Sequence, residues 1–194
     1  MSSLATPRVL PLPEVLGILK GVPAQRFEPG HIATLLDGVS VEAGTLERYL
    51  HFVSGRYTRN LIHRDDTFEL LALCWDEGTF SPIHNHSGQD CWFLVQEGQF
   101  CLEGYRIVSG GTCAGDAKLE HVDSQHRVSH GAVDHRGPLN DIHRVTVSRG
   151  NPRAVSLHVY AKPFDECLVY DVKHGRCARQ PLKYYSVDGN PLDP

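Results

Sequence analysis

The hydrophobic pattern of this chain changes its period near residue 55, and that change limits the possible folds more than any other feature. Before it, residues 13–20 and 44–53 carry apolar side chains at helical spacing. The second stretch shows an i, i+3, i+4, i+7 stripe of Leu46, Tyr49, Leu50 and Val53. From residue 56 onward the period becomes two, which is typical of β-strands.

Short strand-like segments then follow one another, separated by turn-forming residues: 59–62, 68–75, 91–95, 99–108, 142–147 and 154–161. Many short strands at near-regular spacing indicate a mainly β fold, either a small β-barrel or a double-sheet jelly roll, here preceded by helices. The length of 194 residues suits one domain with a sizeable core. We therefore predict a single domain over residues 1–194, with a helical part at 1–55 and a β-barrel core at 56–170.

Composition argues against several classes of partner. A net charge of -4 gives no electrostatic reason to expect a nucleic acid or an anionic membrane. The sequence has no apolar run of roughly 18 residues, and its first residues do not resemble a signal peptide. The six cysteines form no CxxC pair, which argues against a zinc knuckle and for free thiols. We expect a cytoplasmic, monomeric protein.

His84 and His86 are separated by one residue, so in an extended chain their imidazoles point to the same face. Two neutral imidazoles side by side are good metal ligands. Turn-forming residues flank the pair, although a chance pair is the alternative in a chain with 12 histidines. Residues 118–136 carry four further histidines, whose spacing fits neither one helix face nor one strand face. For that stretch a solvated strand and loop is the favoured interpretation.

The segment 154–161 places polar side chains on one face. Alternation brings Ser156, His158 and Tyr160 together, opposite an apolar face. A hydroxyl, an imidazole and a phenol in a row can form a hydrogen-bonded chain that lines a cavity. The same face can also point to solvent, and these residues alone leave both interpretations open.

Five elements of the sequence resemble the cysteine dioxygenase family of the cupin superfamily, in that family's order. His84-Asn85-His86 is similar to the first cupin motif, with Cys91 where that motif usually has a glutamate ligand. The other elements are Tyr57-Thr58-Arg59-Asn60-Leu61, His143-Arg144-Val145, Ser156-Leu157-His158-Val159-Tyr160 and Pro163-Phe164-Asp165. The approach to His143 is shorter than is usual in the family and lacks its glycine.

The resemblance implies a mononuclear non-haem Fe(II) site held by His84, His86 and His143. Three neutral imidazoles leave a ferrous ion with its full charge and with open coordination positions, and a substrate thiolate can supply the missing anion. Zinc is the general alternative for three histidines, but redox-inert zinc cannot share electrons with dioxygen. The implied reaction is the oxidation of L-cysteine with O2 to cysteine sulfinic acid.

The resemblance also places Arg59 at the substrate carboxylate, which its planar guanidinium can bind in bidentate fashion, with support from Tyr57. Relatives specific for 3-mercaptopropionate generally carry glutamine at that place and lack the cysteine equivalent to Cys91. This sequence has both Arg59 and Cys91, which favours L-cysteine. The alternatives are a dioxygenase for 3-mercaptopropionate or another small thiol and, from a different class, a non-catalytic metal-binding cupin.

A second implied feature is a thioether crosslink between Cys91 and Tyr160, acting as a protein-derived cofactor. Such a bond would fix the phenol near the iron, and His158 and Ser156 would orient it from behind. These four residues are therefore the predicted catalytic set. Taken alone, Cys91 would be read as a small buried hydrophobic residue.

Overall fold

The computed structural model describes residues 8–127, 131, 133–138 and 141–192. Its N-terminal part contains the helices α1 (Leu12–Lys20), α2 (Pro29–Leu36) and α3 (Ala43–Leu46), and two short parallel strands, β1 (Arg8–Leu10) and β2 (Val39–Val41). The helix predicted at residues 13–20 is confirmed. The helix predicted at 44–53 is wrong in its second half, because the chain passes through a 3₁₀ turn at Glu47–Tyr49 and leaves helical dihedral angles at Leu50.

From Thr58 onward, the regular elements of the described residues are strands. In chain order they are β3 (Thr58–Arg64), β4 (Phe68–Asp76), β5 (Ile83–His84), β6 (Cys91–Glu97), β7 (Phe100–Gly110), β8 (Gly115–Arg127), β9 (Val133–Arg136), β10 (His143–Val147), β11 (Arg153–Ala161), β12 (Glu166–Asp171), β13 (Arg176–Pro181), β14 (Ser186–Val187) and β15 (Asn190–Pro191). Six of them close in the order β10-β5-β12-β13-β8-β7, and the others form a sheet in the order β15-β14-β3-β4-β11-β6-β9. The predicted mainly β, cupin-type fold with N-terminal helices is confirmed.

The seven-stranded sheet is buried on both faces. One face packs against the helices through an apolar cluster that includes Leu19, Ile32 and Leu157. The opposite face packs toward the other strands, where Phe93 and Phe100 belong to a second cluster. β11 lies between β4 and β6 in this sheet. Its odd-numbered residues face the helices and its even-numbered residues face the interior, because side chains alternate along a strand. The interior face is where the polar residues of β11 lie.

The strands continue past residue 170, since β13 closes the six-stranded set and β14 pairs in parallel with β3. The boundaries at 55 and 170 remain a prediction about domain organisation. Residues 118–136 form most of β8 and all of β9, with His121 exposed and His130 outside the described residues. Within the part of the chain that the structure describes, no helix is long and apolar enough to cross a bilayer.

Candidate metal centre

His84, His86 and His143 meet in the interior, although nearly 60 residues separate the pair from the third. His143 begins β10 and lies directly opposite His84 of β5 in the antiparallel register. One potential ligand atom from each residue lies within 4.8 Å of the other two. The short segment before His143 does not prevent its ring from joining the other two. Asp141 in that segment accepts a hydrogen bond from the His86 backbone amide at 3.2 Å.

The nitrogens of these rings are arranged for a further ligand. His84 donates its Nδ1 proton to the carbonyl of Pro82 at 2.9 Å, which leaves Nε2 as the available electron pair. Both ring nitrogens of His86 and the Nδ1 of His143 are buried without a hydrogen-bond partner among the described residues. A metal ion bound by one nitrogen of each ring would relieve part of the cost of burying these groups unpaired.

Burial lowers the pKa of all three imidazoles, to about 4 for His84 and well below the ordinary value for His86 and His143. For His86 and His143 the neighbouring imidazoles lower the pKa further. The three rings are therefore neutral near pH 7, which is the form that binds metal ions.

The polar face of β11 forms a buried hydrogen-bonded chain. Trp75 Nε1 donates to Ser156 Oγ at 2.9 Å, and Ser156 Oγ lies 2.9 Å from His158 Nε2. The other His158 nitrogen, Nδ1, lies 3.2 Å from the Tyr160 hydroxyl. Because the indole can only donate, the assignment that pairs every proton has Ser156 donating to His158 and His158 donating to Tyr160. Tyr160 then keeps its own proton for a group in the cavity.

Cys91 and Tyr160 are direct cross-strand partners between β6 and β11, so their side chains lie next to each other on the interior face. Cys91 Sγ is 4.0 Å from His158 Nδ1, and the Tyr160 ring centroid is 5.7 Å from that of His86. Burial, the largest cause, raises the pKa of both groups. Cys91 raises the pKa of Tyr160 further, whereas Tyr160 partly offsets the rise in the pKa of Cys91. The structure holds Cys91 as a free thiol, and the thioether remains a prediction.

Arg59 extends from β3 toward the same interior. Its guanidinium lies 5.9 Å from the Tyr160 ring centroid and 3.5 Å from a carboxylate oxygen of Glu69. Its Nε is buried and has no hydrogen-bond partner among the described residues. Tyr57 stacks on Trp75 with ring centroids 4.6 Å apart, at the edge of the cavity that Arg59 also lines.

Two residues of this neighbourhood were not predicted from the sequence. Glu69 is fully buried on β4, directly opposite Tyr160, and the Tyr184 ring centroid lies 6.0 Å from the Arg59 guanidinium carbon. A signal for Glu69 was available, because a lone carboxylate within the apolar strand 68–75 is unusual unless it is paired. Tyr184 lies beyond the last strand that the sequence pattern predicted, and no local pattern singles it out.

A group of three converging imidazoles inside a cupin-type β fold defines a metal-binding cupin. This chain belongs to the cysteine dioxygenase type I family, whose model matches residues 12–173. Cysteine dioxygenase type 1 of Homo sapiens is 31% identical over 146 residues, covering 73% of this chain and 68% of the human protein. The Danio rerio protein of the same name is 31% identical over 152 residues, covering 73% of this chain and 69% of its own length.

Among solved structures, a similar protein with a double-stranded β-helix domain comes from Klebsiella pneumoniae. It is 14% identical, with a TM-score of 0.48, and the match covers 65% of this chain and 94% of that protein. The fold assignment made above rests on the strand order and on family membership.

Proposed function

We propose that this protein is a thiol dioxygenase that oxidises L-cysteine with O2 to cysteine sulfinic acid. His84, His86 and His143 would hold one ferrous ion. Both oxygen atoms are transferred to sulfur, so the reaction needs no external reductant. Family membership supports dioxygenase chemistry on a thiol, and the choice of L-cysteine is the finer part of the proposal.

The observation that carries the proposal is the coincidence of two sets of unpaired buried groups in one interior. The imidazole nitrogens of His86 and His143 are available to a cation, and Arg59 Nε is available to a hydrogen-bond acceptor, since none of them has a partner among the described residues. Ferrous iron, when bound, supplies the redox chemistry that lets a thiol react with dioxygen, which zinc does not. A cation bound by the imidazoles would satisfy the first set, and a thiol ligand of that cation that also carries a carboxylate would satisfy the second.

Arg59 and Tyr57 bind and orient the substrate in this proposal. The guanidinium keeps its charge when partly buried and presents a planar fork to a carboxylate. Tyr57 is held by its stack on Trp75, and its phenol borders the same cavity. Fixing the carboxylate end fixes the position of the sulfur two carbons away, which reduces the orientational freedom lost on reaction.

Tyr160 serves as a hydrogen-bond donor that stays protonated. Burial, with Cys91 next in effect, raises its pKa well above the ordinary value. The chain from Trp75 through Ser156 and His158 ends on its oxygen, so the phenolic proton is not needed by His158 and, in this proposal, is available to the substrate. A fixed donor of this kind orients oxygen atoms of the substrate or of dioxygen.

We also propose the thioether between Cys91 and Tyr160. One sulfur–carbon bond would replace one S–H and one C–H bond, and the two protons and two electrons would pass to dioxygen. The cross-strand pairing of the two residues supports this proposal, since formation of the bond requires no change of strand register. The bond would hold the phenol in place without further packing partners.

Three properties of the whole protein belong to the same proposal. We place it in the cytoplasm, where free thiols persist and the six cysteines remain unpaired. We propose that it acts as a monomer, since all the site residues come from one chain. We propose a single domain, since β3 and β14, far apart in sequence, pair directly.

The proposal is tested with protein loaded anaerobically with Fe(II) and then mixed with oxygenated L-cysteine, 3-mercaptopropionate or cysteamine. Oxygen uptake and the product are followed for each thiol. We expect the highest kcat/KM for L-cysteine, with the sulfinic acid as product. A preference for 3-mercaptopropionate would change the substrate assignment, and no uptake with any thiol would favour a non-catalytic metal-binding cupin.

A further inference from the structure

The C-terminal residues 182–192 lie alongside the strand that carries Arg59. The Tyr185 amide donates to the Arg59 carbonyl at 2.7 Å, and the buried Ser186 hydroxyl donates to Asn60 Oδ1 at 2.8 Å. Ser186 and Asn60 are also parallel register partners. This segment lies after the family match, which ends at residue 173. The wall of the site beside Arg59 is therefore built from a part of the chain that the family match does not reach.

Tyr184 of this segment and Tyr160 of β11 both have their rings close to the Arg59 guanidinium. The carbon at the centre of the guanidinium is 5.9 Å from the Tyr160 ring centroid and 6.0 Å from the Tyr184 ring centroid. Arginine is attracted to aromatic faces through its charge and its planar π system. Two rings at similar distances on separate elements restrict where the guanidinium can move.

The Tyr184 hydroxyl contacts Arg64, one of two charged residues near Arg59; the other is Glu69. The hydroxyl accepts a hydrogen bond from Arg64 Nη1 at 2.5 Å, and the same Arg64 nitrogen lies 3.9 Å from a carboxylate oxygen of Glu69. Glu69 is fully buried and contacts Arg59 at 3.5 Å, which is long for an ion pair. Glu69 thus partly balances the Arg59 charge but contacts only one nitrogen, Nη2, among the contacts described. Arg59 Nε remains available to donate a hydrogen bond to a ligand.

We propose that Tyr184 is a positioning residue that sets the specificity of this site for thiols carrying a carboxylate. Its ring holds the Arg59 guanidinium, and its hydroxyl fixes the ring through the hydrogen bond from Arg64. Tyr184 and Arg59 line one cavity of about 830 Å³, which leaves room for a small amino acid. The inference rests on the proposed function because it takes a thiol as the ligand. It does not require that the protein oxidise that thiol.

The test measures binding rather than catalysis, by calorimetric titration of Fe(II)-loaded protein without oxygen. L-cysteine and cysteamine are compared, since cysteamine has the thiol and amine without the carboxylate. Tyr184→Ala should weaken L-cysteine binding by about 3- to 30-fold, the range of a partly desolvated cation–π contact, with cysteamine binding unchanged. Tyr184→Phe keeps the ring and should lose less than Tyr184→Ala.

Tyr105→Phe is the matched control for removal of a hydroxyl, because Tyr105 lies on β7 and does not line the Arg59 cavity. Tyr184→Leu, which keeps apolar bulk without a ring, decides the question if Tyr184→Ala does not fold. Iron content and thermal unfolding are measured for every variant.

A selective loss of L-cysteine binding at unchanged iron content supports the inference. Equal losses for both thiols, no loss in Tyr184→Ala or Tyr184→Leu, or a wild type that binds the two thiols equally well would overturn it. A protein that binds L-cysteine selectively but does not oxidise it would contradict the proposed function and leave the role of Tyr184 standing.

Discussion

His86 and His143 are each only 1% exposed, and three of their ring nitrogens have no hydrogen-bond partner among the described residues. An unpaired buried polar group costs about 1–3 kcal/mol of stability. These unpaired nitrogens therefore lower the stability of the metal-free protein, and a bound cation would reduce that cost.

Replacing His143 with Ala should remove one of the three ligands and leave the other two unable to hold iron tightly. We expect iron content to fall from about one per chain to a small fraction, and turnover to be lost. Metal analysis and oxygen uptake provide the measurements. His174→Ala is the control, because the His174 side chain is exposed and pairs with Asp171 outside the metal site. Normal iron and turnover in His143→Ala would show that the third ligand is misassigned.

Replacing Arg59 with Ala should affect L-cysteine far more than cysteamine, which has no carboxylate. A charge-assisted hydrogen bond contributes about 1.5–3 kcal/mol, or roughly 10- to 150-fold in kcat/KM. Steady-state kinetics on both thiols checks this. Arg176→Ala is the control, since Arg176 lies on β13 with an exposed side chain. Equal losses on the two thiols would mean that Arg59 supports the fold rather than the substrate.

Replacing Cys91 with Ser should preserve iron binding, because the thiol is not a ligand, and should reduce the rate without abolishing it. Protein with native Cys91 should accumulate a form about 2 Da lighter during turnover, as two hydrogens are lost. Intact-protein and peptide mass spectrometry detect this form. Cys101→Ser should leave the amount of the lighter form unchanged, since Cys101 lies on β7 and is not the strand partner of Tyr160. If the Cys91 peptide stays alkylatable in fully active protein, the thioether is not required.

At the scale of elements, β11 shows both the strength and the limit of periodicity. Alternation correctly separated Ser156, His158 and Tyr160 from the apolar face, but it could not distinguish a cavity from solvent. The deciding fact is that β11 lies between β4 and β6 in a sheet covered on both sides. Strand neighbours depend on contacts distant in sequence, which a local pattern does not contain.

The turn between β6 and β7 depends on Gly98. Its φ of 78° lies in the left-handed region, and an added Cβ would lie 2.7 Å from the Cβ of Ala154. Gly98→Ala should therefore lower the free energy of unfolding by at least about 1–2 kcal/mol. Denaturant unfolding measures the change. Gly44→Ala, at a helical position with nothing within 4 Å, should not lower it. An equal stability of the two variants would contradict this account.

At the scale of the whole molecule, the sequence was sufficient for the fold class and for the residues that converge on the metal site. The histidine pair and the alternation of β11 are local patterns, and the family resemblance supplied what local patterns cannot, including His143 and Arg59. The sequence did not predict α2, β13 or Tyr184. These elements are defined by what they pack against, and their own residues show little periodicity.

The central claim is that this protein inserts both atoms of dioxygen into the thiol of L-cysteine. It is tested most directly by one turnover experiment with Fe(II)-loaded protein, L-cysteine and ¹⁸O-labelled dioxygen in unlabelled water. We predict cysteine sulfinic acid in which both sulfinate oxygens carry the label. A sulfinic acid carrying oxygen from water, or cystine as the product, would contradict the account.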